Sequence, residues 1–456
     1  MPEKRLIHLG SQQIVEHSES GPTCQPIGFL SDQIAQEEKS RDSETAKIPA
    51  IRFRGFTDAW EQRKLREIVE RVVRKNTNNE STLPLTISAQ YGLVDQITYF
   101  NNRVASRDIS NYYLVLNGEF AYNKSTSDGF PFGAVKRLDL YPKGVLSTLY
   151  IVFSLRDQEQ ISSDFLSVFF DTDRWHRGVA ERAAEGARNH GLLNISTEDF
   201  FDIDLRIPKE KREQDKIGAL FRGIDHLITL HQRKHEKMVS IKKAMLEKLF
   251  PQNGTNFPEI RFSGFTDAWE QRELKEMASF SKGSGYSKND ILPSGTPIIL
   301  YGRLYTKYET IIRDVDTFVT AKPRSIYSQG GEVIIPASGE TAEDISIASV
   351  VENKGVILGG DLNIVTPDNG LSSMFLALTI TFGEPHRELS RFAQGKSVVH
   401  LHNTDLQGIK ISFPSHPEQE KINSFFRDLD RLITLHQREL EKLRNIKKAC
   451  LEKMFV

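Results

Sequence analysis

Cysteine is scarce in this sequence of 456 residues, which contains Cys24 and Cys450 and no others. Two isolated thiols provide neither a disulfide framework nor the paired cysteines of a zinc site, and they fit a reducing cytoplasm. Long hydrophobic runs are missing as well, since no segment reaches the roughly 18–20 apolar residues of a membrane span. Because polar residues follow the first positions, we also expect no secretory signal and a cytoplasmic location.

An excess of charge of one sign is also absent. The sequence has 60 Lys and Arg against 61 Asp and Glu, a formal net charge of −1. Because DNA-binding domains usually carry a basic bias, this balance does not by itself favour binding to nucleic acid. A DNA-binding function would need basic residues concentrated on one surface, or partner subunits that supply positive charge.

Catalytic signatures are missing too. Gly395-Lys396-Ser397 resembles the end of a phosphate-binding loop, but Ser390 stands where that loop needs its first glycine. The sequence contains no G-x-G-x-x-G, no H-E-x-x-H and no cysteine pair with zinc spacing. The carboxylates of Asp344 and Asp361 have no recognisable partner, and structural or solvent roles are their default. We therefore predict a protein without catalytic residues, cofactor or metal of its own.

What the sequence does contain is a repeat. Residues 51–65 read IRFRGFTDAWEQRKL and residues 260–274 read IRFSGFTDAWEQREL, which differ at two positions. A second pair of matching segments covers residues 213–250 and 418–455. Because the same order of segments occurs twice, the sequence predicts two similar halves.

The regions between the repeated segments have similar lengths but different sequences. Alternating apolar residues at the far end of each region predict a closing strand, over 203–207 and 409–413. The N-terminal residues are rich in Ser, Gln and Glu and are predicted to be disordered. The predicted boundaries are an extension at 1–50, a first variable domain at 51–207, a helical spacer at 208–251, a linker at 252–259, a second variable domain at 260–413 and a second helical spacer at 414–456.

Each spacer has the heptad spacing of a long amphipathic helix, about 50 Å in length. We expect the two helices to pair as an antiparallel coiled coil with a pseudo-two-fold axis and one variable domain near each end. The alternative is that each helix packs on its own domain. The predicted seam consists of Ile217, Phe221, Ile224, Ile228, Ile422, Phe426, Leu429 and Ile433.

Two histidines on the first helix could suggest a metal site. His231 and His235 have i, i+4 spacing and therefore share one helix face. However, Leu440 takes the place of His235 in the second copy, so no paired ligand set forms. We predict core or seam positions for these histidines.

The variable regions alternate β-like segments with turn residues and a few helical segments, which predicts compact α+β domains. The predicted strands lie at 83–88, 112–116, 119–122 and 145–153 in the first region and at 297–301, 332–336 and 355–359 in the second, with a helix at 162–170.

Several polar loops in these regions combine the residue types that bind DNA. Arg and Lys suit guanine edges and phosphates, Asn and Gln suit adenine edges, and Ser and Tyr hydroxyls bond phosphates. The alternative interpretation of each loop is an ordinary hydrated turn. The candidates are Ser88, Gln90, Tyr91, Tyr122, Asn123, Lys124, Ser125, Lys136, Arg137, Arg188, Asn189, His190, Lys282, Ser284, Tyr286, Tyr301, Arg303, Tyr305, Ser338, Lys396 and Ser397.

From residue 51 to 456 the chain resembles the specificity subunit of type I restriction–modification systems. The duplicated order of motif, variable region and helix is typical of that family. The resemblance rests on GFTDAWEQRKL at 55–65 and its copy at 264–274, LITLHQR at 227–233 and 432–438, SAQYGLVDQ at 88–96, AYNKS at 121–125 and IIPASGETAEDI at 334–345.

This resemblance implies that each variable region is a target-recognition domain and that the helix pair sets the spacing of a bipartite, asymmetric DNA target. It also implies two modification subunits, which carry S-adenosylmethionine and methylate adenine N6 after base flipping. Two restriction subunits would use ATP and Mg²⁺ for translocation and cleavage. A stand-alone nuclease or methyltransferase would need a cofactor loop or a carboxylate cluster, and a coiled-coil scaffold would not need two dissimilar domains.

Overall fold

The computed structural model forms two compact units. Each unit combines one variable region with parts of both spacer helices. The first unit includes most of the chain up to Gln232 together with Arg438–Val456, and the second unit includes Arg233–Gln437. The described residues are 34–36, 48–88, 91–127, 129–183, 193–252, 254–392 and 399–456.

A four-stranded antiparallel sheet lies at the centre of the first unit. Its strands occur in the order Val69–Arg71, Ile151–Leu155, Phe120–Asn123 and Ala134–Arg137. Two antiparallel strand pairs accompany it. Their members are Leu85–Ser88 with Gly92–Asp95 and Tyr113–Leu116 with Lys143–Leu146. The prediction of one strand over 145–153 is wrong, because a turn at 147–150 separates two strands there, with Tyr150 N donating to Ser147 O at 3.2 Å.

The repeated motif begins with a short strand. Ile51–Phe53 pairs antiparallel with Ile34–Gln36. The extension that was predicted to be disordered therefore contains at least one paired strand. The rest of its first 47 residues lie outside the described part of the chain.

Two sheets form the second variable domain. One has the order Ala278–Lys282, Leu362–Pro367, Glu332–Pro336, Ser349–Val351 and Ile311–Ile312. The other has the order Ile291–Leu292, Phe318–Val319, Thr296–Ile299 and Ile357–Leu358. The last pair of each sheet is parallel. A further antiparallel pair joins Ser338–Gly339 to Val399–His400.

Each domain is closed by a strand pair in which the repeat motif meets the end of the variable region. Glu61–Lys64 pairs with Asp204–Ile207, and Glu270–Glu273 pairs with Lys410–Phe413. The two predicted closing strands are therefore confirmed. Because motif and closing strand pair directly, the two ends of each variable region emerge side by side.

The helices confirm the α+β class. Both spacers are single helices of 38 residues, Lys211–Lys248 (the first long helix) and His416–Lys453 (the second long helix). Within the described residues, no helix is both long and apolar enough to cross a membrane. The shorter α-helices are Leu65–Ile68, Gln96–Phe100, Ser163–Phe169, His176–Arg182, Thr197–Phe201, Gly302–Thr306, Ala342–Ile345, Ser373–Phe382, Glu384–Phe392 and Asn403–Gly408, and 3₁₀ turns lie at Leu274–Glu276 and Lys288–Asp290.

Candidate nucleic-acid interface

The repeated motif is an anchor between each variable domain and a long helix. In the first unit, Arg52 donates two hydrogen bonds to the carboxylate of Glu213, from Nε at 2.6 Å and from Nη2 at 2.8 Å. Trp60 Nε1 donates to the same carboxylate at 3.4 Å. Glu213 is 1% exposed. A bidentate pair of this kind fixes both partners in direction as well as in distance.

The second unit repeats the anchor at the matching positions. Arg261 donates to Glu418 from Nε and Nη2, both at 2.7 Å. Trp269 occupies the place of Trp60 and is also buried, but its Nε1 has no hydrogen-bond partner among the described residues. The motif therefore has the same structural task in both halves.

The glutamine that follows each anchor glutamate binds the variable domain. Gln214 accepts a hydrogen bond from Ser162 N at 2.9 Å, at the start of the domain helix Ser163–Phe169. Gln419 accepts from Ser372 N at 2.9 Å, at the start of Ser373–Phe382. Each side-chain amide also donates to a proline carbonyl just before the long helix, at 2.9 Å in both halves. Each helix start is thus tied to its own domain.

The ends of the long helices are buried against the anchors of the opposite half. In the first unit, Phe455 lies 5.9 Å from Trp60 and 6.0 Å from Phe221, measured between ring centroids. In the second unit, Phe250 lies 6.3 Å from Trp269 and 6.4 Å from Phe426. In each unit, therefore, the start of one long helix contacts the end of the other.

Charge pairs join the helices at matching positions. Lys447 Nζ lies 2.8 Å from a carboxylate oxygen of Asp225 in the first unit, and Lys242 Nζ lies 2.6 Å from Asp430 in the second. Burial lowers the pKa of Lys447, but the attraction of Asp171 and Asp225 outweighs it, so the net pKa shift is upward.

The predicted seam residues are buried or half-buried. Most of them share a core cluster with residues of their own domain and of the end of the opposite helix, so the two interpretations of the seam are not exclusive. Buried members are Ile217, Phe221, Ile224, Ile422, Phe426 and Leu429, and half-buried members are Ile228 and Ile433.

Two of the first domain's candidates for DNA contact are core residues. Tyr122 is fully buried, stacks on Phe200 at 4.3 Å and donates its hydroxyl to Phe132 O at 2.9 Å. Burial raises the pKa of this phenol well above its ordinary value. Ser88 is 3% exposed and accepts a hydrogen bond from Tyr91 N at 3.2 Å. Their assignment to DNA binding was therefore wrong, because neither side chain reaches the surface.

Lys136 and Arg137 are committed to ion pairs inside the first unit. Lys136 Nζ lies 2.6 Å from Asp171. Arg137 contacts Asp139 at 2.6 Å and Asp164 at 2.9 Å, and 14% of its side chain is exposed. Because of these ion pairs, neither the Lys136 ammonium nor the Arg137 guanidinium is readily available to bind a DNA phosphate.

The remaining described candidates of the first domain lie at two chain turns. Tyr91 is 55% exposed after the strand Leu85–Ser88. Asn123 is the last residue of the strand Phe120–Asn123, Lys124 and Ser125 follow it, and Asn123 Oδ1 accepts from Ser125 N at 3.0 Å. This set offers a phenol, an ammonium group and a hydroxyl to solvent.

Some candidates of the second domain also serve its structure. Arg303 pairs with Glu309 at 2.7 Å and Asp316 at 2.8 Å, with 8% of its side chain exposed. Ser338 is buried within the strand Ser338–Gly339. The burial of Ser338 contradicts its assignment to DNA binding, and the ion pairs of Arg303 engage its guanidinium inside the domain.

Other candidates remain accessible in the second domain. Lys282 is exposed at the end of a sheet strand, while Ser284 and Tyr286 are partly buried beyond it. Tyr301 and Tyr305 are half-buried neighbours, and burial raises the pKa of Tyr305, with the negative charges of Glu340 and Asp344 adding to the shift. The candidates Gln90, Arg188, Asn189, His190, Lys396 and Ser397 lie outside the described residues.

The accessible side chains can donate and accept hydrogen bonds, which suits phosphates and base edges. In the described part of the chain, no cluster of three or more His, Cys, Asp or Glu could hold a metal ion. Sequence reasoning missed the Arg52–Glu213 and Arg261–Glu418 anchors. Their signal was present, since all four residues lie inside the repeated segments.

Comparison with known proteins finds one family model and several similar proteins. Residues 266–445 match the type I restriction modification DNA specificity domain. The chain is 20% identical over 365 residues to the type I restriction enzyme MjaVIII specificity subunit of Methanocaldococcus jannaschii. The aligned region covers 77% of this chain and 82% of the relative. It is 22% identical over 439 residues to the putative MjaX specificity subunit of the same organism, over 91% of this chain and 95% of the relative.

The chain is thus similar to type I restriction–modification specificity subunits, and its residues 266–445 match the DNA specificity domain of that family. A solved type I restriction–modification S subunit from M. genitalium has the same fold, with a TM-score of 0.54 and 14% identity, over 90% of this chain and 99% of that one. The matched segment, which lies mostly in the second variable domain, is by its description a domain for DNA sequence recognition. The polar turns at the strand ends of its variable domains are the candidate surface for that recognition.

Proposed function

We propose that this specificity subunit reads an asymmetric, two-part DNA target, with one part bound by each variable domain. The observation that supports the proposal is that matching arginine–glutamate anchors hold two dissimilar domains. Arg52–Glu213 and Arg261–Glu418 have the same geometry, yet the domains that they anchor differ in sequence and in sheet order. Two domains that are anchored in the same way but differ in sequence and sheet order are suited to binding two different half-sites.

The two long helices act as an antiparallel coiled-coil spacer between the half-sites. The matching contacts Asp225–Lys447 and Asp430–Lys242 support this arrangement. One additional heptad in each helix would lengthen the spacer by about 10 Å, or about three base pairs of DNA. We expect a chain with such insertions at equivalent points to methylate targets with a longer gap. An unchanged gap would exclude the spacer role.

Partner subunits bind the exposed face of the helices. Leu230 is 37% exposed and Leu435 is 50% exposed, and they occupy the same position of the repeated LITLHQR segment. Exposed leucines at equivalent positions support docking of two copies of one partner, the modification subunit, which would carry S-adenosylmethionine. Two restriction subunits would bring ATP and Mg²⁺, and the whole complex would act in the cytoplasm.

The proposal is tested by expressing this chain with the modification subunits from its own gene set and mapping the methylated adenines of the host genome. We expect a target with two unlike parts and a fixed gap, and no methylation when this chain is omitted. A continuous or symmetric target would contradict the proposal. Methylation at the same sites without this chain would show that specificity resides elsewhere.

A further inference from the structure

One turn of the second domain holds an arginine in a backbone conformation that arginine rarely adopts. Among the described non-glycine residues, the positive φ angles are those of Asn79 at 52°, Asn101 at 50° and Arg324 at 71°. Asparagine tolerates this left-handed region, whereas a long side chain with a Cβ is strained in it. Such strain persists where the surrounding structure enforces it, often for function.

The strained residue is the third of the turn Lys322-Pro323-Arg324-Ser325. Ser325 N donates to Lys322 O at 3.2 Å, the hydrogen bond that closes a four-residue turn. Proline at the second position and a positive φ at the third are the features of a type II turn, in which the third residue is usually glycine. Arginine here therefore replaces the residue that the backbone prefers.

Side chains from a neighbouring loop hold the turn rigidly. The hydroxyl of Tyr286 accepts a hydrogen bond from Lys322 N at 2.7 Å and bonds the hydroxyl of Ser325. Ser325 Oγ donates to Lys322 O at 2.7 Å, and Ile326 N donates to Ser284 Oγ at 3.3 Å. The Cα of Arg324 is thereby fixed in position. This role also explains Tyr286 and Ser284, which sequence reasoning had placed on the DNA.

The two cations of the turn differ in their surroundings. Lys322 Nζ lies 2.7 Å from Asp290 and 4.6 Å above the Tyr286 ring, so its charge is satisfied within the domain. Arg324 is exposed, and no ion pair or hydrogen bond of its guanidinium occurs among the described residues. The turn thus uses its lysine internally and presents its arginine to solvent.

We propose that Arg324 is a specificity-determining residue of the second variable domain and that its guanidinium binds the edge of a guanine. The inference rests on the proposed function. The planar guanidinium offers two parallel donors that match guanine O6 and N7. A phosphate contact needs only a mobile cation on any loop, whereas a base contact needs a fixed origin and direction, which this tethered turn supplies.

The test compares Arg324→Gly and Arg324→Lys with the unaltered chain, each bound to its modification subunits, by selection from a randomised duplex library and by thermal unfolding. We expect Arg324→Gly to raise the melting temperature, because glycine adopts this φ without strain. We also expect it to weaken binding of the preferred site by about 5- to 150-fold. The preference for one guanine in one half-site should disappear.

The lysine variant decides between base and phosphate. Lysine retains the charge but lacks the planar fork, so Arg324→Lys should reduce the guanine preference, though less than Arg324→Gly does. An unchanged sequence preference in either variant would overturn the inference. Asn79→Gly is the matched control, since it relieves a left-handed residue in the first domain and should leave the second half-site unchanged. If the unaltered complex selects no sequence at all, the proposed function itself fails.

Discussion

The two units agree at their anchors and differ where the variable domain meets the helix pair. In the first unit, Lys447 contacts Asp225 of the first long helix at 2.8 Å and Asp171 of the variable domain at 3.5 Å. One lysine thus links both helices to the domain.

In the second unit, the matching lysine pairs with a carboxylate of the opposite helix, and among the described residues it has no ion pair with the variable domain. Lys242 contacts Asp430. Counted from Ser162 and Ser372, the residue that corresponds to Asp171 is Thr381. Thr381 borders a cavity of about 550 Å³. Contacts made within the repeated segments are thus preserved, while contacts that a variable domain supplies are not.

The largest effect should come from the anchors, where the two units agree. Glu213→Ala and Glu418→Ala each leave a largely enclosed arginine side chain, 10% exposed in Arg52 and 13% in Arg261, without its carboxylate, which destabilises by about 3–5 kcal/mol. Urea unfolding, followed separately in each unit by hydrogen exchange, should show a loss in the first unit for Glu213→Ala and a loss of similar size in the second unit for Glu418→Ala. A loss for one of the two variants alone would mean that the anchors are not equivalent.

A smaller effect should distinguish the lysines, where the two units differ. Lys447→Met removes contacts to two carboxylates and Lys242→Met removes one, so the first should destabilise more, by about 1–2 kcal/mol against less than about 1 kcal/mol. Equal losses would contradict the bridging role of Lys447.

The pH dependence supplies a second measurement of that lysine. The pKa of Lys447 is raised in the folded state. Its contribution is therefore complete below the unfolded lysine pKa of about 10.4 and is lost as the pH rises through the folded value. The unaltered chain should lose stability above about pH 10.4, and Lys447→Met should lack that component. Identical alkaline profiles for the two proteins would exclude it.

The smallest expected effect concerns DNA. Lys124 follows a sheet strand of the first domain and has no carboxylate partner among the described residues. Lys124→Ala should weaken DNA binding and reduce the slope of log affinity against log salt by about one. Lys136→Ala is the control. Because Lys136 is already paired with Asp171, this substitution should leave the salt slope unchanged. An unaltered slope for Lys124→Ala would remove Lys124 from the interface.

The scaffold could be predicted from the sequence because its signals are local or repeated. Heptad spacing marks a helix wherever it occurs, and the closing strands alternate over a few residues. The anchor pairs were missed because Arg52 and Glu213 lie 161 residues apart, and a repeat preserves many residues without showing which of them pair.

The candidate site was predicted less well for a chemical reason. Tyrosine and arginine serve both DNA contact and internal packing, and a linear pattern does not distinguish the two. Tyr122 and Arg303 are residue types that occur in DNA-binding loops. In the structure, however, the ring of Tyr122 packs in the core and the guanidinium of Arg303 forms ion pairs within the domain. Arg324 was missed because its signal is a backbone angle.

The central claim is that identical anchors carry two independent DNA-reading domains. It is tested most directly by replacing residues 66–207 with the variable region of another specificity subunit and mapping methylated adenines in cells that carry the partner subunits. The account predicts a change in one half of the target, with the other half and the gap retained. A change in both halves would contradict it.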